Sequence, residues 1–411
     1  MPSDKGNGSD SSTDSSQGIN RRTVLASGAT LLGTTMIAGC GGDGDGNGNG
    51  NGNGNGNGNG NGNGNGNGNG TATAEPTEIA IVSSPAGFDD NAFNDLALEG
   101  LQAAAEDHNI NINEVEETSQ GNYPSVQQNL AESSDPDYDL IVLVGFNHTS
   151  ALETNAEEYG DQNWMLINDY YDSSNDNVAG YTWANHEMSY LAGVAAGTLT
   201  TADLSNGSIS NDPDSTQIGF VGGAEGSLIE AFEKAYIAGA ESIEEGIDVN
   251  VGYSGDFSDT QAAKSVAASQ YDDGADIVYH AAAAAGEGVF QAAQEADRFA
   301  IGVDADQSVT LDSYSDVILG SAVKFINEGT REVANAVAED DFASVQGPST
   351  LGIAEEGVDF VIGQEFTEDS DNPLPDAVST NVEDAKTDIT EGNVDVPCTA
   401  SGCTGTPTPT N

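Results

Sequence analysis

From about Thr77 onward, short apolar runs alternate with amphipathic stretches of helical period, and this rhythm sets the expected fold. Glu78–Ser84 reads as a strand, followed by a helix over Asn91–His108. Further strands are predicted over Ile112–Glu117, Asp139–Val144, Trp164–Ile167 and Val178–Trp183, with helices over Tyr123–Ser133 and His186–Leu199. A turn-rich stretch, Thr200–Ser215, separates this series from a second. There Gln217–Val221, Val249–Tyr253, Asp276–His280 and Phe299–Val303 read as strands, and Ser227–Glu245, Asp259–Tyr271 and Gly286–Ala296 as helices. A late strand over Asp316–Ser321, a helix over Ala322–Glu339 and a terminal hairpin over Leu351–Phe360 complete the pattern. Such alternation implies right-handed βαβ units and parallel sheets covered on both faces, an α/β class. Roughly 300 folded residues exceed one comfortable core, so two lobes are expected. The first is placed mainly at 77–184 and the second mainly at 215–303, with crossovers after 303 and an acidic, Thr/Pro-rich tail over 361–411. Ligands of open α/β sheets sit outside the carboxyl ends of the strands, so the strand-end loops are where function is sought.

The segment before Thr77 has a different character. Arg21-Arg22, an uncharged run over Thr23–Gly39 and then Ile37-Ala38-Gly39-Cys40 read as a twin-arginine export signal (1–39) ending in a lipobox, with Cys40 as the lipidated first residue of the mature chain. At about 17 residues, the run is marginal for a bilayer span, which leaves a retained anchor as the competing reading. Twelve Asn-Gly pairs over Asn47–Gly70 dominate the following stretch, 40–76. It offers no apolar side chain to offset the entropy of ordering glycine, so a flexible tether is expected, with a reach of roughly 30–35 Å. The chain is therefore placed on the outer face of the cytoplasmic membrane, held by its lipid.

Charge narrows the partners. The sequence carries 68 acidic residues against nine basic ones, a net −59. Removal of 1–39 takes Asp4, Asp10 and Asp14 together with Lys5, Arg21 and Arg22, so the net charge stays −59. The acids are spread along a sequence that keeps its hydrophobic periodicity, which points to a folded protein adapted to very high salt, where the Debye length shrinks to about 3 Å. Nucleic acid and anionic surfaces are poor partners for it. Cys398 and Cys403 could close a small disulfide loop outside the cell. The four histidines, His108, His148, His186 and His280, form no ligand pair, so neither a metal nor a cofactor is expected.

The loops then supply candidate chemistry. After the first strand comes Ser83-Ser-Pro-Ala-Gly-Phe-Asp-Asp-Asn-Ala-Phe-Asn94, in which Asp90 or Asn91 can cap the next helix. Phe93 beside Asn94 offers an aromatic face and an amide, suited to a flat polar ring, although Phe93 as plain core is the competing reading. Gly222-Gly223 suggests close backbone approach at a strand–helix turn rather than a phosphate cradle. Phe257, in Gly255-Asp-Phe-Ser-Asp259, supplies an aromatic from the second lobe, and Gly286 allows close approach to a ligand. In Gly302-Val-Asp-Ala-Asp-Gln307, Asp304 is placed to accept hydrogen bonds from a diol and Asp306 to cap or turn. Lys324 stands at another strand end in a chain with no lysine or arginine between Cys40 and Glu233, which favours a buried or functional role.

These segments carry a resemblance. Gly87–Asn94, Tyr190-Leu-Ala-Gly-Val-Ala-Ala-Gly197, Ile218–Gly223, Gly255–Asp259, Gly274-Ala-Asp276, Ile301–Gln307 and Ser321-Ala-Val-Lys324, in that order, make the chain similar to the basic membrane protein (BMP) family of lipoproteins. These are the purine-nucleoside receptors of ABC importers, and the similarity covers most of Glu78–Phe360. It implies a type I periplasmic-binding-protein fold, with two Rossmann-like lobes joined by three crossovers and closing on a nucleoside. By position, it implies Phe93 and Phe257 stacked on the base, Asp90 and Asn94 near its edge, Asp304 and Lys324 on the ribose hydroxyls, and Gly286 lining the sugar pocket. Where the family often has an aspartate after the fourth strand, this chain reads Asn168-Asp169, and either could face the base. The run Ala281–Ala285 is also plainer than the family's usual loop there.

The expected function is a lipid-anchored, monomeric receptor that captures a neutral nucleoside and presents it, by hinge closure, to an ABC permease and its ATPase subunits. The alternative keeps the fold but binds a sugar or another small polar metabolite, since paired aromatics also stack on pyranose faces. An extracellular hydrolase is disfavoured because no nucleophile–base–orienter set is visible. Asn69, Asn147 and Asn206 head glycosylation sequons, and a glycan on Asn147 would obstruct the cleft that this strand-end position implies.

Overall fold

A computed structural model describes residues 75–398. The export signal, Cys40, the Asn-Gly tether and Cys403 lie outside the described residues.

Two six-stranded sheets organise the chain. The first is built from β1 (Thr77–Val82), β2 (Ile110–Val115), β3 (Leu140–Val144), β4 (Trp164–Ile167) and β5 (Val178–Trp183), with α1 (Phe93–Asp107), α2 (Tyr123–Ala131) and α3 (Thr149–Glu158) in the connections. The chain then leaves through α4 (Asn185–Thr200) and a two-residue pair, β6 (Ser205–Asn206) and β7 (Ile209–Ser210). The second sheet takes β8 (Gln217–Gly222), β9 (Asp248–Tyr253), β10 (Ile277–Ala281), β11 (Phe299–Asp304) and β12 (Ile318–Lys324), connected by α5 (Ser227–Ile243), α6 (Thr260–Asp272), α7 (Glu287–Ala296) and the one-turn α8 (Gln307–Thr310). After α9 (Ile326–Ala338), β13 (Gly347–Leu351) joins the first sheet and β14 (Val358–Ile362) the second, before α10 (Asp376–Thr390).

The strand orders are β13-β5-β4-β3-β1-β2 and β14-β12-β11-β10-β8-β9, so the lobes repeat one topology. All pairings are parallel except β12 with β14 in the second sheet and the small β6–β7 ladder. β3, β4, β5, β10, β11 and β12 are buried along their whole length, as expected for strands covered on both faces. The chain passes between lobes three times: after β5, after β12, and between β13 and β14. These are two α/β lobes of the periplasmic-binding type.

Three expectations are corrected. The helix expected from Ala322 begins at Ile326, because Ala322-Val323-Lys324 continue β12, paired with Val303–Asp304 on one side and Val358–Phe360 on the other. Leu351–Phe360 is no hairpin, since the two strands turn away from each other and finish different sheets. The segment after Phe360 is not all tail: α10 packs on α4, burying Val378, Val382 and Ala385, and Asn381 Nδ2 donates to Thr198 Oγ1 at 3.0 Å. α3 was not anticipated at all. Cys398 is disulfide-bonded. Among the described residues, no helix is long and apolar enough to cross a membrane.

Candidate functional site

Both sheets turn their carboxyl ends toward one cleft lined by residues of both lobes. In each lobe the chain order reverses beside the first strand, between β1 and β3 and between β8 and β10, which opens the crevice where such sheets take ligands. The walls come from the segments that follow β1, β3 and β4 in the first lobe, and in the second from the start of α5, the ends of β10, β11 and β12 and the loop after β9. Asn168 and Asp304 occupy matching places, at the ends of β4 and β11, and both adopt the left-handed backbone region (φ 69° and 68°). Such conformations are costly for non-glycine residues and persist where surrounding structure holds them, often at functional sites.

Asp304 and Lys324 meet at the floor, with Nζ 3.0 Å from Oδ1 and side chains only 9% and 3% exposed. The ammonium also lies 4.9 Å from the centroid of the Phe93 ring and 5.8 Å from that of Phe232, one aromatic from each lobe. Asp304 Oδ1 receives no hydrogen bond despite the nearby ammonium, so it keeps its capacity to accept one from a ligand hydroxyl. The end of β11 is fixed by Gln307, whose Oε1 accepts from Val303 N (2.8 Å) and faces His280 Nε2 (2.9 Å), while its own N–H donates to Ser321 Oγ (3.1 Å). Because Gln307 Oε1 only accepts, His280 Nε2 carries the proton. Burial pushes the His280 pKa down to about 4, which keeps the ring neutral near pH 7.

The residues singled out in the sequence divide into two groups. Phe93, Asn168, Phe257, Asp304 and Lys324 all line the cleft. Asn168 rather than Asp169 faces it: Asp169 turns away to accept from Thr149 Oγ1 and Tyr170 N, at 2.5 and 2.8 Å. Asn168 Oδ1 accepts from Asn185 Nδ2 at 3.2 Å, leaving its amide nitrogen as the donor at the wall. Asp90, Asn94 and Gly286, by contrast, stand behind the wall. The first N–H groups of a helix have no intrahelical acceptor, and Asp90 supplies one, taking Ala92 N and Asn94 N at 3.1 Å and the Asn94 amide at 2.7 Å. Burial raises the Asp90 pKa against these hydrogen bonds. Asn94 spends its remaining groups on Ser84, accepting from its N at 2.8 Å and donating to its Oγ at 2.9 Å. It therefore shapes the loop rather than the ligand surface. At Gly286, a Cβ would lie 2.0 Å from His280 Cε1, so the missing side chain makes room for the histidine.

Gly222-Gly223 makes the close approach expected of it, and the neighbour is an aromatic. A Cβ on Gly223 would lie 2.3 Å from the Phe257 ring, so this glycine lets the ring lie flat against the backbone. Sequence reasoning missed Phe146 and Phe232, which also line the cleft. Phe146 follows β3 and is 38% exposed, one of three large apolar residues so placed among the described residues. Its position just past a strand end was the available signal. Phe232 lies inside α5, where nothing local marks it. Asn147 lines the cleft too, and His148 behind it stacks on Tyr123 at 3.7 Å and contacts Ser83 O at 3.0 Å.

The family model for "ABC transporter substrate-binding protein PnrA-like" (Bmp) matches residues 78–400. The "ABC transporter nucleoside-binding protein BmpA" of Lactococcus lactis subsp. cremoris is 32% identical over 77% of this chain and 88% of its own. "Basic membrane protein A" of Borreliella burgdorferi is 33% identical over 54% of this chain and 61% of its own. Among solved structures, an ABC transporter solute-binding protein from Aeropyrum pernix K1 superposes with a TM-score of 0.66, covering 79% of this chain and 95% of that one at 23% identity, a likeness of fold. The matched strand-end loops and the repeated lobes lead to one assignment: the chain belongs to the Bmp family of PnrA-like substrate-binding proteins of ABC transporters.

Proposed function

We propose that this protein captures a neutral nucleoside, a purine nucleoside by preference, at the outer face of the membrane to which Cys40 anchors it, and hands it to an ABC permease as a monomer. The observation that carries this reading is the buried Asp304–Lys324 pair set beneath aromatic side chains from both lobes. Lys324 is the only cation among the residues lining the cleft, and Asp304 neutralises it, so a phosphorylated ligand would find no uncompensated positive charge. A carboxylate with a vacant acceptor position beside an ammonium suits a vicinal diol, which can donate to one and accept from the other. Phe93 and Phe257 supply flat apolar area for a heterocycle, with stacking worth about 1–3 kcal/mol per base. The nucleoside-binding relative supports the same ligand class.

The test is titration calorimetry in molar salt with adenosine, inosine, guanosine, uridine and their 5′-monophosphates, plus galactose and ribose. Binding of a nucleoside with rejection of its monophosphate supports the proposal. Binding of a sugar alone would replace it with the alternative reading. Alanine at Phe93, Phe257, Asp304 or Lys324 should each weaken binding at least tenfold, and four unaffected variants would end it.

A further inference from the structure

The two loops that carry Phe93 and Asp304 also touch each other directly. Thr310 Oγ1, at the end of α8 in the second lobe, donates a 2.8 Å hydrogen bond to the carbonyl of Asn91, in the β1–α1 loop of the first. Neither partner lines the cleft. Asn91 is two residues before Phe93, and Thr310 is on the turn that follows Asp304.

Both ends of this contact are held rigidly. Asp89 and Asn91 adopt the left-handed region (φ 60° and 56°), which side-chain-bearing residues seldom occupy without support. Asp95 provides that support, accepting from Asp89 N at 2.9 Å and Asn91 N at 2.8 Å, while Asp90 takes the N–H groups just beyond. The carbonyl of Asn91 is thereby aimed outward. On the other side, Asp306 accepts from Ser308 N (3.1 Å) and Oγ (2.6 Å), and Gln364 N donates to Ser308 Oγ at 2.9 Å, pinning α8 to the segment after β14. A four-residue helix so anchored works as a peg, with its last hydroxyl reaching across the gap.

We infer that Thr310 and the Asn91 carbonyl form a latch between the lobes that slows ligand release. This rests on the nucleoside-capture reading for its ligand, but the latch itself needs only the two loops. A bound molecule held by Phe93 on one side and Asp304 on the other sets the spacing of the same loops, so occupancy and latching favour each other. Thr310 is thus a positioning residue that never touches the ligand. Opening the lobes breaks the contact; its loss should therefore raise the dissociation rate and leave association no slower.

The experiment uses the full chain in molar salt, with Thr310→Val, which keeps the shape and removes the hydroxyl, and Thr310→Ser, which restores it. Stopped-flow with adenosine and inosine should show dissociation from Thr310→Val about two- to tenfold faster than wild type, the range expected for one hydrogen bond. Association should be no slower than in wild type, and Thr310→Ser should match wild type. Thr310 is exposed, so unliganded melting temperatures should agree across the three proteins. Small-angle scattering of the unliganded proteins should show Thr310→Val more open than the other two. Equal dissociation rates and scattering for Thr310→Val and wild type would overturn the latch, as would Thr310→Ser behaving like Thr310→Val. If wild type binds none of the nucleosides, it is the ligand reading that fails, and scattering alone decides the latch.

Discussion

Asp304 and Lys324 are a buried ion pair, and such pairs are better at specifying than at stabilising. Asp304→Asn leaves the ammonium without its counter-charge, and urea denaturation should show a loss of about 3–5 kcal/mol. Joint replacement, Asp304→Leu with Lys324→Met, should recover most of that stability while calorimetry shows no binding. A double variant as unstable as the single one would contradict this. Gly223→Ala places a methyl where the Phe257 ring lies, so affinity should fall toward that of Phe257→Ala, measured by the same titrations. The cleft residues that sequence alone revealed, Phe93, Phe257, Asp304 and Lys324, are those whose chemistry is unusual for a strand-end loop in so acidic a chain. Asp90 and Asn94 were harder, because a side chain that caps a helix and one that meets a ligand share the same letters and spacing. Only the direction of the hydrogen bonds separates the two roles.

At the scale of elements, most of the strand and helix order was readable because most strands are short apolar runs bounded by turn residues, while α3 and β13 went unread. Boundaries failed where a neighbour decided them. Ala322-Val323-Lys324 has helical composition but is held as strand by partners on both sides. Nothing local tells β13 and β14 that they belong to different sheets, a matter settled by which edge each can reach. Two buried titratable groups at β10, Asp276 just before it and His280 within it, have opposite consequences for acid stability. Burial lowers His280 to about 4 from an unfolded value near 6.5. The unfolded chain then holds more protons across that interval, and stability falls as pH drops through it. Burial raises Asp276 to about 7, so there the folded state holds the extra proton, and stability rises as pH drops from about 7 toward 4. Asp276→Asn removes the second contribution and should steepen the acid-side loss, read by chemical denaturation between about pH 7 and 4. Asp276 lies at the end of β10 away from the cleft, so ligand affinity at a fixed pH should not change.

For the whole molecule, the net charge of −59 governs solution behaviour more than any single contact. Few of the acids have basic partners, since the sequence has only nine lysines and arginines. Self-repulsion should therefore limit stability until salt screens it. The melting temperature is expected to climb steadily between about 0.2 and 3 M KCl, followed by scanning fluorimetry, and a flat profile would refute the salt-adapted reading.

The edge strand β13 has a consequence for how the protein is made. The first sheet stays incomplete until Gly347–Leu351 arrives, long after β5 and behind every strand of the second sheet but β14. The first lobe can therefore not be cut from the gene as an uninterrupted piece and keep its full sheet. During synthesis, the flank of β5 waits uncovered for a ribbon still inside the ribosome. The opening half of such a chain is sealed by its closing quarter.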